Sequence, residues 1–137
     1  MNGDTLPPRV RDLFANLHHA GVAGTAAGGQ AEAPGGHVAE GEAGREQYGT
    51  RVRFMLRLRG SRLVEARYCA YGCPYTLATC EWLARRLEEA GRDAIGAPDD
   101  WCRTLGVPIV KLGRLLVVED ALRAAFERAA ATSNADG

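Results

Sequence analysis

The fold is decided by residues 50–74, which read TRVRFMLRLRGSRLVEARYCAYGCP. From 50 to 58 every second residue is apolar and most of the others are arginine, a pattern typical of a strand with one buried face. Gly60-Ser61 supplies a tight turn, and residues 62–71 alternate again, with Val64, Ala66, Tyr68 and Ala70 on one face. The stretch therefore predicts an antiparallel hairpin.

The segments around the hairpin are helical in pattern. Spacing over 6–21 predicts a short amphipathic helix that ends at Gly21, and further helices are predicted over about 74–90, 99–105 and 114–131. Strands come together and helices follow, without βαβ alternation. We therefore expect an α+β fold, in which helices pack on one face of a small antiparallel three-stranded sheet.

The length of 137 residues predicts a single domain over 1–137. Residues 22–47 are rich in Gly, Ala and Glu and poor in large apolar side chains, so burial cannot offset their ordering entropy. We expect a mobile loop there, with at most a weak strand near its end. The tail 132–137 is expected to be disordered.

Composition narrows the class of protein. Lys plus Arg number 17 and Asp plus Glu number 17, and this balance argues against a protein that grips nucleic-acid phosphates. No stretch approaches the ~18 apolar residues of a transmembrane helix. Residues 1–8 lack the pattern of a secretory signal. The sequence therefore predicts a cytoplasmic protein that binds neither nucleic acid nor membrane.

Four cysteines in a reducing compartment indicate metal, redox or catalytic chemistry more than structural disulfides. Cys73 lies between a strand end and a helix N-terminus, where the helix dipole favours the thiolate that binds metal or attacks sulfur; a packing role is the alternative. Cys69 lies four residues earlier on the polar strand face. It could bind metal together with Cys73, form a reversible disulfide with it, or have no role.

The remaining candidates are interpreted as structural. Cys80 falls within the apolar stripe of its helix and Cys102 lies beside a tryptophan, so both are predicted to be core residues. His18 and His19 are expected to contact helix-end carbonyls or solvent. His37, in the Gly-rich loop, is either solvated or able to swing in as a ligand.

Several segments resemble the iron–sulfur cluster assembly scaffold family of the IscU/NifU N-terminal type. Residues 66–73, ARYCAYGC, resemble the strand and Tyr-Gly-Cys motif that carries the second ligand cysteine of that family. The other similar segments are the opening helix over 10–21, PIVKL at 108–112 and VEDALRAA at 118–125. They occur in the family's order and cover roughly residues 8–22 and 44–130.

The chain departs from the family at two ligand positions. Tyr48-Gly49-Thr50 stands where the family has Cys-Gly-Asp, and Gly113 and Arg114 stand where it has a histidine and its third cysteine. The chain is therefore identified as a degenerate member that keeps one of three ligand cysteines, Cys73. Arg114 places a cation where the cluster would lie, and it could pair with a Cys73 thiolate and keep it ionised.

The resemblance implies iron or an iron–sulfur cluster as the bound group, with zinc as a further candidate, and Cys73 and Cys69 as its ligands. A [2Fe–2S] cluster generally needs four ligands, so His37 or a bridged homodimer would have to supply others. The implied partners are a cysteine desulfurase and a chaperone that reads residues 108–111, where Ile109 replaces the family's second proline. No catalytic cycle is evident, so we do not expect an enzyme.

Three functional hypotheses follow. The first is a scaffold-type iron–sulfur assembly protein that binds iron or accepts sulfur through Cys73. The second is a paralogue that binds no cluster and docks onto the assembly machinery as a regulator. The third is a thiol-redox protein that works through a disulfide between Cys69 and Cys73, which requires their Cα atoms to lie within about 7 Å.

Overall fold

The computed structural model describes residues 6–21 and 36–136. Its helices and strands, in chain order, are α1 (Pro8–Phe14), β1 (His37–Arg45), β2 (Thr50–Arg59), β3 (Arg62–Tyr71), α2 (Pro74–Ala90), α3 (Pro98–Leu105) and α4 (Leu112–Asp136). Short 3-10 turns cover Glu46–Tyr48, Arg92–Ala94 and Ile109–Lys111. The strands form one antiparallel sheet in the order β1-β2-β3, which confirms the predicted α+β fold.

The predicted hairpin is confirmed. β2 and β3 pair from Arg51 opposite Tyr71 to Arg57 opposite Glu65, and the register then shifts by one residue. The turn uses Gly60 at φ 66°, a conformation that glycine adopts without steric cost. Because side chains alternate along a strand, Val52, Phe54, Leu56 and Leu58 are buried beneath the helices and the β2 arginines line the other face.

β1 corrects the prediction of a mobile loop over 22–47. Residues 22–35 lie outside the described residues, but His37–Arg45 pairs along its whole length with β2. The strand lacks large apolar side chains because α4 packs directly against its backbone. A Cβ on Gly41 would lie 2.1 Å from the Ala125 nitrogen and 2.3 Å from the Ala121 oxygen. Small residues are therefore required here, and they gave the strand the composition of a loop.

All of the main helices lie on one face of the sheet. α4 packs on β1 and β2, α2 packs on β3, and α1 packs on α2. The core between the layers is filled by large buried side chains, which include Phe54, Tyr68, Leu83, Trp101 and Leu115. Within the described residues, no helix combines the length and the continuous hydrophobicity that a transmembrane segment needs.

The bounds of α2 agree with the predicted helix, whereas those of α3 and α4 differ from the predicted ones. α3 begins at Pro98, and α4 begins at Leu112, two residues earlier than predicted. α4 also continues through Asp136, into the segment 132–137 for which disorder is predicted.

Ion pairs cover the face of the sheet that carries no helix. Arg53 pairs with Glu40 at 2.6 Å, and Glu65 accepts hydrogen bonds from Arg57 at 2.8 Å and from Arg67 at 2.9 Å. Met55, which points to the same face as the β2 arginines, is fully buried. The stems of long side chains can cover apolar surface in this way while their charged ends remain near water.

The N-terminal segment differs from the predicted helix over 6–21. α1 ends at Phe14, and the chain then runs beside the free edge of β3, where Gly21 N–H donates to the Tyr68 carbonyl at 2.8 Å. His19 lies five residues after the end of α1 and contacts two carboxylates. Its Nδ1 lies 2.8 Å from Glu81 Oε2 and its Nε2 lies 2.8 Å from Glu88 Oε1, so the prediction of a helix-end or solvent contact was wrong.

Glu81 is the centre of this network and its side chain has no solvent exposure. Its carboxylate accepts hydrogen bonds from the His19 backbone N–H and the Tyr68 hydroxyl, each at 2.9 Å, and from Arg85 Nε at 2.8 Å. Burial raises the pKa of Glu81, but the hydrogen bonds from Arg85, His19 and Tyr68 outweigh it and lower the pKa below its ordinary value. The network ties the N-terminal segment to β3 and α2.

Candidate functional site

Cys73 connects β3 to α2. Gly72 leaves the strand, Cys73 takes an extended conformation at the N-cap position, and Pro74 begins the helix. Proline suits this position because its missing N–H would have no helical partner there. The arrangement places the Cys73 thiol, which is partly buried, at the positive end of a 17-residue helix, as the sequence predicts.

The surroundings of Cys73 favour its thiolate. Burial opposes ionisation and raises the pKa of the thiol, but hydrogen bonds from the Thr76 backbone and side chain and from the Tyr75 backbone lower it. The positive charge of Arg114 lowers it further, and the net pKa falls below the ordinary value. Sγ lies 3.6 Å from Thr76 Oγ1. Direct pairing of Arg114 with a Cys73 thiolate stays a prediction.

Thr76 is a contact that the sequence reading missed. It is fully buried in the first turn of α2, three residues after the N-cap cysteine. An N-cap side chain and the residue three positions later regularly meet in capping interactions. The Cys73-x-x-Thr76 spacing therefore carried a signal for this contact once the helix start was placed.

Three separated segments meet at one end of the sheet. Tyr71 pairs with Arg51 at the start of β2, and Arg45 pairs with Thr50, so the β1–β2 connection and the end of β3 are neighbours. The start of α4 joins them, because Gly113 and Arg114 line an open cavity together with Tyr48 and Thr50. The fold thus brings together residues 48–50 and 113–114, the two segments that differ from the scaffold family. The positive charge of Arg114 is one of the causes that lower the pKa of Cys73.

Cys69 occupies a different surface. It is exposed on the helix-free face of the sheet, directly opposite Arg53, in a shallow depression that Arg51 and Tyr71 also line. All four cysteines are free thiols.

The predicted core cysteines are confirmed as core residues. Cys80 has no exposed surface and Cys102 is 6% exposed. Burial raises the pKa of both thiols, with the charges of Glu81 and Asp99 as further causes. Burial and a raised pKa both make a thiol less reactive.

The idea that His37 could swing in as a ligand was wrong. His37 begins β1 opposite Leu58, whereas Cys73 follows the other end of the sheet, where Arg51 pairs with Tyr71. Seven strand residues separate the two ends, roughly 23 Å at about 3.3 Å per residue. The paired strand holds His37 at that distance.

The donor set does not fit a complete metal centre. In the part of the chain that the structure describes, no group of three or more His, Cys, Asp or Glu side chains is arranged to hold a metal ion. A [2Fe–2S] cluster generally takes four ligands, more than any group of such side chains in this part of the chain provides. A role of Cys73 and Cys69 as metal ligands stays a prediction.

The chain is similar to part of a longer protein of known sequence. The chain is 38% identical over 128 residues, 88% of its length, to a bifunctional protein NifU/MnmA of Rubrobacter xylanophilus. The chain spans 23% of the length of that protein. No protein-family model matches the chain. At this identity over most of the chain, the two sequences are homologous across the matched part.

Proposed function

We propose that the chain is a NifU-like protein of iron–sulfur cluster assembly and that Cys73 accepts sulfur. Homology to part of a NifU/MnmA protein supports the family, and so does the ordered set of motifs that resemble the NifU N-terminal type. The single observation that carries the sulfur-accepting role is the position of the partly buried Cys73 thiol at the N-cap of α2, with its Sγ 3.6 Å from Thr76 Oγ1.

The chemistry needs only one reactive thiol. The Cys73 thiolate attacks the outer sulfur of a donor cysteine persulfide, so a new S–S bond forms at Cys73 and the donor S–S bond breaks. The donor cysteine leaves as a thiolate, and Cys73 becomes a persulfide. No external oxidant or reductant is required. Arg114 stabilises the attacking thiolate, and Thr76 orients it.

The proposed source of sulfur is a cysteine desulfurase in the cytoplasm, and the chain acts as an acceptor and not as an enzyme. A chaperone that reads residues 108–111 is a second proposed partner. Ile109 is 68% exposed and Val110 is 80% exposed, so this segment offers apolar side chains to a partner.

The competing function is a paralogue that docks onto the assembly machinery without binding a cluster. The observation that favours it is the contrast between a complete scaffold-like α+β fold and the absence, among the described residues, of a metal-ligating group. In that case binding to a desulfurase would not depend on Cys73.

The test is sulfur transfer under anaerobic conditions. The chain is mixed with a cysteine desulfurase and cysteine, and peptides are analysed by mass spectrometry for the gain of one sulfur atom. We expect the gain on Cys73, its loss in Cys73→Ser, and no change in Cys69→Ser. Unchanged desulfurase binding by Cys73→Ser, with no transfer to the native chain, would support the docking paralogue.

A parallel measurement addresses metal. Ferrous iron and sulfide are added anaerobically to the native chain and to Cys73→Ser, and visible absorption and bound iron are measured. Because the described donor set is incomplete, we expect no stoichiometric iron in either protein. Stoichiometric iron that depends on Cys73 would show that further ligands are recruited and would overturn this part of the proposal.

A further inference from the structure

Residues 15–21, the strap, follow α1 and cover the middle of the outer edge of β3. The Tyr68 N–H donates to the His19 carbonyl at 3.3 Å, and the Tyr68 carbonyl accepts from the Gly21 N–H at 2.8 Å, so that Ala20 forms a parallel bridge with Tyr68. An uncovered edge strand offers its N–H and C=O groups to other strands. Because a single bridge is a weak attachment, side-chain contacts decide whether the strap stays on this edge.

His19 is the side chain that fixes the strap to α2. Its Nδ1 lies 2.8 Å from Glu81 Oε2, and its Nε2 lies 2.8 Å from Glu88 Oε1. The other oxygen of Glu88 accepts the N–H of Ala66, on the edge of β3, at 2.8 Å. The imidazole is thus held between two carboxylates, one of which also binds β3.

Both ring nitrogens of His19 face acceptors. A neutral imidazole carries one N–H and presents a lone pair on its other nitrogen, whereas the imidazolium donates from both. An ionised carboxylate can only accept. With a neutral ring, one of the two 2.8 Å contacts would set a lone pair against a carboxylate oxygen. The geometry therefore fits the protonated ring.

Two arginines beside His19 bind the backbone of the strap and not the imidazole. From α2, Arg85 Nη2 donates to the Asn16 carbonyl at 2.7 Å, and from β3, Arg67 Nη1 donates to the His18 carbonyl at 3.0 Å. Their charges oppose a further positive charge on the ring, and the two carboxylates in direct contact with it favour one.

Glu81 keeps its negative charge in this network. Burial raises its pKa, but hydrogen bonds from Arg85, from His19 and from the Tyr68 hydroxyl lower the pKa below its ordinary value. The proton between His19 and Glu81 therefore belongs to the ring, and the ring is the group that gives it up as the pH rises.

We propose that the strap is a proton-dependent cover of the β3 edge, which docks when His19 is protonated and loosens when the ring loses its proton. Docking then takes up one proton, so the strap is fully held on the acid side of the His19 titration and is released as the pH rises through it. Release uncovers the backbone groups of Tyr68. The device does not require that Cys73 accept sulfur.

The first test follows the native chain by nuclear magnetic resonance. Signals of the His19 ring nitrogens report its protons, and hydrogen exchange of the Gly21 N–H reports docking, with Leu83 in the core of α2 as the control amide. We expect two ring protons while the strap is docked. Across the ring titration, the protection factor of Gly21 should fall about tenfold and that of Leu83 should stay constant. Tenfold corresponds to about 1.4 kcal/mol, close to one hydrogen bond to a charged group.

Two results on the native chain would overturn the proposal. One is a ring that carries a single proton while the strap is docked. The other is protection of Gly21 that does not change across the His19 titration.

Glu88→Gln tests the need for a proton separately from the contact itself. A glutamine amide can donate to a neutral Nε2, and its oxygen can still accept the Ala66 N–H. The strap should therefore stay docked on both sides of the titration. Glu89→Gln removes the same charge at the next, exposed position of α2 and should keep the native response. A native response in Glu88→Gln would refute the proposed role of the proton.

A second pair of variants identifies the histidine. His19→Gln cannot titrate and should abolish the pH dependence of Gly21 protection, whereas His18→Gln, at an exposed position of the strap, should preserve it. Circular dichroism checks that each variant folds, and the Glu88→Gln test stands even if His19→Gln does not fold. Persistence of the response in folded His19→Gln would overturn the assignment.

Discussion

Glu81 holds its buried carboxylate 2.9 Å from the hydroxyl of Tyr68, which is 1% exposed. Tyr68→Phe deletes this hydroxyl and leaves the ring in place. The ring continues to pack against Phe54, whose centroid lies 6.1 Å away. The substitution therefore removes one hydrogen bond to a buried anion without opening a cavity.

The expected loss follows from the burial of both groups. Hydrogen bonds to charged groups contribute about 1.5–3 kcal/mol to stability. Glu81 Oε1 still accepts the His19 backbone N–H at 2.9 Å after the change, so the carboxylate is not orphaned. We therefore expect a loss near the lower end, about 2 kcal/mol. With a urea dependence of about 2 kcal/mol per molar, the unfolding midpoint should fall by about 1 M.

The loss should depend on pH in a defined direction. Burial raises the pKa of Glu81, but the hydrogen bonds to its carboxylate lower the folded-state pKa below that of the unfolded chain. The contribution of Glu81 to the free energy of unfolding is therefore complete above the unfolded pKa of about 4.3. The contribution disappears as the pH falls through the lower pKa of the folded state. The difference between the native chain and Tyr68→Phe should therefore be full at pH 7 and shrink in acid.

The assay is urea unfolding followed by circular dichroism at pH 7 and at about pH 3. Tyr71→Phe is the matched control, because Tyr71 is 53% exposed and surface changes usually stay within about 0.5 kcal/mol. The reasoning is refuted if Tyr68→Phe costs no more than this control. It is also refuted if its cost is the same at both pH values, because the cost would then not come from the ionised carboxylate.

Two further predictions concern packing and thiol exposure. Gly41→Ala should lower the free energy of unfolding in urea by about 1–3 kcal/mol, because the new Cβ would overlap the α4 backbone. Gly113→Ala is the control, because a Cβ there meets open space, and it should be neutral or stabilise the fold by up to about 1 kcal/mol. Equal effects of the two substitutions would contradict the close approach of α4 to Gly41. Iodoacetamide should label Cys73 in the folded chain at a pH below about 8.5, the ordinary pKa of a cysteine thiol. It should label the buried Cys80 and Cys102 only after the chain is unfolded. Labelling of Cys80 in the folded chain would disprove its burial.

The hairpin, α2 and the placement of Cys73 at a helix start were predictable from the amino-acid sequence. These features depend on local signals: period-two alternation in 50–59, the Gly60 turn, and a cysteine placed between a strand and Pro74. Local signals also predicted the burial of Cys80, since its position relative to the apolar stripe follows from helical spacing. Each of these features is determined by residues that lie close together in sequence.

Strand β1, the contacts of His19 and the cavity between β1 and α4 depend on packing between segments that are far apart in sequence. β1 is a strand because α4 requires small residues against it, and that contact joins Gly41 to Ala121 and Ala125, some 80 positions away in sequence. His19 contacts carboxylates on α2, and one open cavity is lined by both Arg45 and Arg114. Residue propensities and hydrophobic periodicity depend on residues close in sequence, so they do not predict contacts between distant segments.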